Sequence, residues 1–117
     1  MFEAIEKVLN ADYDHEQPDI PRSKAFHREC SKFIKKAIAP YGLELIRSKS
    51  ATYCASSGFI TDGKGKFVYY SIGDYRWEDW KHGVLIRTAK NEKDYTGGMN
   101  HYCELKDIGE TVYNLFA

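Results

Sequence analysis

Histidine and cysteine are the first residues to weigh in this chain of 117 amino acids, because imidazole and thiolate bind metals and act as bases and nucleophiles. His27-x-x-Cys30 and His101-x-Cys103 together hold two nitrogens and two sulfurs, the donor count of a closed tetrahedral zinc site. Against that use, Cys30 falls on an apolar helical stripe, where a free cysteine behaves as a small hydrophobe. His27 follows Phe26 and so points about 100° away from it on a helix. Both spacings also differ from the usual ligand pairs, so no metal and no cofactor is expected. A cysteine-dependent enzyme would need Cys54 or Cys103 within reach of His82 or His101, with the thiol pKa lowered by its surroundings. Glu78 and Asp79 are adjacent, and adjacent side chains point apart in strand or helix. Residues 91–100 (NEKDYTGGMN) lack the GxxxxGK[ST] phosphate-loop spacing and read as a turn. No catalytic constellation emerges, and the chain reads as non-enzymatic.

Binding residues are better represented. Residues 73–83 join two expected strands through a long loop holding Tyr75, Arg76, Trp77 and Trp80. Tryptophan, tyrosine and arginine dominate binding hot spots because they bury large rigid area with a polar handle. The competing use of the same rings is to fold back and complete a small core. A second candidate is cationic: Arg22, Lys24, Arg28, Lys32, Lys35 and Lys36, opposed locally by Glu29 alone. Such a face suits the phosphates of a nucleic acid or nucleotide. The third is acidic: Asp12, Asp14, Glu16 and Asp19 would set charge against a basic partner surface. The chain's net charge is zero, yet residues 1–19 carry −5, residues 20–66 carry +7 and residues 67–117 carry −2. Local clustering rather than the total sets the field at a surface. The arm and the basic helix would also neutralise one another if they lay together.

The elements that must position these groups follow from periodicity. Phe2, Ile5, Val8 and Leu9 space as a short helix, and residues 12–21, with two prolines and four acids, read as an extended connection. Phe26, Cys30, Phe33, Ile34, Ala37 and Ile38 recur at steps of three and four, with Ser23 as N-cap and Pro40 and Gly42 as the stop. The period then changes to that of strands, over 43–48, 52–61, 66–72 and 84–89, with a short edge strand over 102–105. Asp62-Gly63-Lys64-Gly65 is a hairpin signal, since such turns need positive φ. Ile108, Val112, Leu115 and Phe116 close the chain as a helix behind Asp107. The expected fold is α+β: an antiparallel sheet of three to five strands with two or three helices packed on one face. One domain, 1–117, is expected, with an acidic helix and arm over 1–21 and the α+β core over 22–117.

Composition narrows the class. An apolar run long enough to span a bilayer is absent, the first residues lack the pattern of a secretory leader, and three cysteines make a disulfide framework improbable. A cytoplasmic protein is expected, a monomer or a homodimer joined by a sheet edge. The segment 84–100 (VLIRTAKNEKDYTGGMN) and the aromatic loop before it, in a small tyrosine-rich chain with an acidic arm, resemble small phage-encoded counter-defence proteins of the anti-CRISPR kind. Those proteins share no common pattern from which residue roles carry over. The resemblance implies an inhibitor that binds a bacterial immune effector, such as a CRISPR-Cas complex, and blocks its nucleic-acid site or assembly.

Overall fold

The computed structural model describes residues 3–9, 20–51, 55–72, 83–94 and 97–117. Three helices and five strands lie among them: α1 (Glu3–Leu9), α2 (Ile20–Ile38), β1 (Glu44–Ala51), β2 (Ala55–Thr61), β3 (Phe67–Ile72), β4 (Gly83–Ala89), β5 (Asn100–Glu104) and α3 (Ile108–Phe116). The strands form one antiparallel meander in chain order, β1-β2-β3-β4-β5. The fold is α+β, with the described helices on one face.

Strand alternation decides which face they cover. On β3, Val68, Tyr70 and Ile72 are buried while Phe67, Tyr69 and Ser71 are less so, and on β4 Val84 and Ile86 are buried. Those inward residues form a single core with Ile5 of α1, Phe26, Cys30, Ile34 and Ile38 of α2, and Ile108 and Val112 of α3. Burying each of these large side chains is worth about 1.5–3 kcal/mol, so the continuous core holds the layers together.

Helix α2 starts earlier than its polar residues suggest. Pro21 sits in its first turn, where the missing N–H costs nothing. Ser23 is therefore inside the helix and 2% exposed rather than capping it. Pro40 lies in a 3-10 turn (Ala39–Tyr41), and Gly42 leaves it at φ 71°. The 62–66 hairpin is held by Asp62, whose carboxylate accepts the N–H groups of Lys64 and Lys66 at 2.7 and 3.1 Å. Asp107 stands at the start of α3 without a side-chain cap bond, because a 3-10 turn (Leu105–Asp107) leads into the helix. Helix α3 crosses close to the end of α2: the Tyr41 and Tyr113 rings are 5.2 Å apart, and a Cβ on Gly109 would run into the Ala37 carbonyl oxygen.

Candidate nucleic-acid interface

With Phe26, Cys30, Ile34 and Ile38 turned to the sheet, the 3.6-residue repeat sends Lys24, Arg28 and Lys35 to the opposite side, roughly 160–200° from Phe26. Lys32 and Lys36 flank that line. All five are exposed. From Lys24 to Lys36 the stripe runs about 18 Å along the helix at 1.5 Å per residue. Glu29 is the one carboxylate among them: it meets Arg28 Nε at 3.6 Å and Lys32 Nζ at 3.5 Å. Both cations keep more than 60% of their side chains in water, so these pairs are weak and open to exchange. Arg22 differs from the other five. It is 6% exposed, since its position brings it round toward the core side of the helix, and the stripe has five members rather than six.

Helix electrostatics account for only part of this pattern. Lys35 and Lys36 in the last turn are favoured by the carbonyl end of the macrodipole. Lys24 and Arg28 gain nothing from it, and no acid stands in the first turn to balance them. Local helix stability therefore does not explain the cations of the N-terminal half.

The neighbouring face of α2 carries a polar chain that the sequence did not announce. His27 Nδ1 lies 2.7 Å from Ser56 Oγ on β2, and Ser56 Oγ lies 3.1 Å from the Tyr70 hydroxyl on β3. Ser31 Oγ stands 3.5 Å from His27 Nε2. Burial pushes the Tyr70 phenol up to about 12, so it stays a donor. Burial, aided by the Lys35 charge, holds the His27 imidazole below its usual range, so it is neutral at pH 7. With Nε2 protonated, Ser56 donates to His27 and accepts from Tyr70, and the chain is self-consistent. This pairs a serine with a base, but Ser56 and Tyr70 are 0% exposed and offer a substrate no approach. It is a satisfied buried network.

The other nucleophile and metal candidates are likewise unassembled among the described residues. Cys30 is 0% exposed in the core. Burial pushes the Cys103 thiol up, with a Thr111 side-chain hydrogen bond opposing in part, which is the reverse of what a reactive cysteine needs. No three metal-binding side chains gather among the described residues. Cys54 and His82 lie outside them.

So do the aromatic loop and acidic-arm candidates: Tyr75, Arg76, Trp77, Trp80, Asp12, Asp14, Glu16 and Asp19. Residues 90–99 do form an ordered turn at the described positions. Asp94 accepts the N–H groups of Lys90 at 3.0 Å and Gly97 at 2.8 Å, and Asn91 accepts that of Lys93 at 2.8 Å. Gly98, at φ 81°, lies against the Thr88 carbonyl oxygen, where a Cβ has no room.

On the sheet face turned away from the helices, the registers align Ile46, Phe59, Tyr69, Arg87 and Asn100 in one row across all five strands. Phe59 and Tyr69 are 5.5 Å apart, the Arg87 guanidinium lies 5.8 Å over the Tyr69 ring, and its Nε donates to Asn100 Oδ1 at 2.7 Å. This row and the α2 cations lie on opposite sides of the sheet, so they do not share one groove. Protein-family models, curated proteins and solved structures give no match to the chain.

Proposed function

We propose that this protein is a non-enzymatic nucleic-acid-binding protein that docks its α2 cations on the phosphate backbone. The observation that carries the reading is the exposure of Lys24, Arg28, Lys32, Lys35 and Lys36 along one side of α2 among the described residues. The exposed side of α2 offers charge but no Asn, Gln or aromatic residue to read or stack on bases. Binding is therefore sequence-independent, the kind supplied by phosphate contacts alone, with dissociation constants of about 1–100 µM at physiological salt.

Fluorescence anisotropy with a labelled duplex and a labelled single strand tests this against a triple charge reversal, Lys24→Glu with Arg28→Glu and Lys35→Glu. Micromolar binding by the wild type at low salt, lost in the reversal, supports the reading. Absence of binding at low salt, or equal binding by the reversed chain, removes it. In that event the inhibitor of a bacterial immune effector, acting through Tyr75, Arg76, Trp77 and Trp80, is the reading to pursue by pull-down with nuclease treatment.

A further inference from the structure

The two sheet edges are built differently. Strand β1 breaks register between Ile46 and Lys49, holds Arg47 at φ 49°, and packs under α2. A bulge and inserted charge are the ordinary means of keeping an edge from pairing. Strand β5 has no bulge and no positive-φ residue, and its one charge, Glu104, stands at its end. Its register with β4 is unbroken from Gly83↔Glu104 to Arg87↔Asn100, and the sheet ends at it among the described residues. The most exposed large apolar residues described, Met99 at 73% and Tyr102 at 76%, lie on or beside it.

We infer that the β5 edge pairs with β5 of a second copy, antiparallel about a two-fold axis through Tyr102, to make one continuous sheet. This register alone overlaps all five residues of the strand, and it is chemically matched. Tyr102 meets Tyr102 of the second copy, an aromatic cross-strand pair. Glu104 faces Asn100 of the second copy. Asn100 already uses its carbonyl oxygen to accept from Arg87, so its amide N–H groups are left to donate to that carboxylate. The competing Lys106–Glu104 contact, at 3.3 Å, is an exposed pair of little worth. His101 faces Cys103, and no like charges oppose. An axis perpendicular to the sheet keeps both helix layers on one side. Five-residue strands bury little surface, so the dimer dissociates on dilution.

Sedimentation velocity of the full chain over about 10–500 µM, with a Tyr102→Glu variant alongside, tests the proposal. The wild type is expected to approach twice the 13.5 kDa chain mass, and the variant, with two carboxylates facing across the axis, to remain at the single mass with an unchanged thermal melt. Independently of how that variant folds, His101→Cys should cross-link to Cys103 of the other copy on mild oxidation, because paired Cα atoms stand about 4.5–5.5 Å apart. A dimer band lost in a Cys103→Ser background supports the pairing. A wild-type chain that stays monomeric throughout, or a dimer that yields no such cross-link, overturns it.

Discussion

His27 joins the fold to the pH of its surroundings. Its folded pKa is depressed, by burial first and by Lys35 second, while the unfolded imidazole titrates near about 6.5. Between those values the unfolded chain holds the extra proton, so stability is full above about pH 6.5, falls as pH drops through the window, and levels off below the folded pKa. Urea melts from pH 8 to pH 5 should show that loss, and it should shrink in a His27→Gln variant. A wild type that gains stability over the same range would contradict the geometry. Ser56→Ala leaves His27 and Tyr70 without their shared partner and should cost about 1–3 kcal/mol. Ser57→Ala, on the opposite sheet face, should cost little, and equilibrium unfolding distinguishes the two. None of this chain was legible beforehand. Its members are 29 and 14 residues apart in sequence, and the one local sign was a histidine placed at the margin of an apolar stripe.

At the scale of elements, the parts governed by local periodicity were readable. The steps from Phe26 to Ile38 name both the buried side of α2 and, by exclusion, its cationic side. The Asp62-Gly63-Lys64-Gly65 turn was readable for the same reason, while the edge strand expected over 102–105 starts two residues earlier, at Asn100, and ends at Glu104, with Leu105 already in the 3-10 turn. What failed were boundaries where two signals competed: Ser23 looked like a cap, but Pro21 is the stronger start because it suits the first turn. Arg22 was counted with the stripe by composition, whereas its angular position places it toward the core. The β1 irregularity at Arg47 has no turn residue to betray it. Two consequences belong here. Gly109→Ala should force α3 off α2 and cost about 1–3 kcal/mol by overpacking, read as a lowered melting temperature. The triple reversal on α2 should leave the melting temperature nearly unchanged, since exposed positions away from packing seldom move stability by more than about 0.5 kcal/mol. A large drop would mean the cations serve the fold.

For the whole molecule, a zero net charge conceals a polarised one, and the described structure puts the positive part in water. Neutral totals give weak steering at long range, so contact must come from the local stripe. Pairing through β5 would bring two such stripes to the same side and raise avidity without a new contact. Glu29 works against the stripe at both its pairs, so Glu29→Gln should tighten nucleic-acid binding severalfold in the same anisotropy assay, and weaker binding would count against the site. The most direct test of the central claim is the salt dependence of duplex affinity. If about four of the five cations sit on phosphates, affinity should fall roughly a hundredfold between 50 and 200 mM salt, with a log–log slope near −3.6. A slope near zero, or no measurable binding at 50 mM, would contradict it.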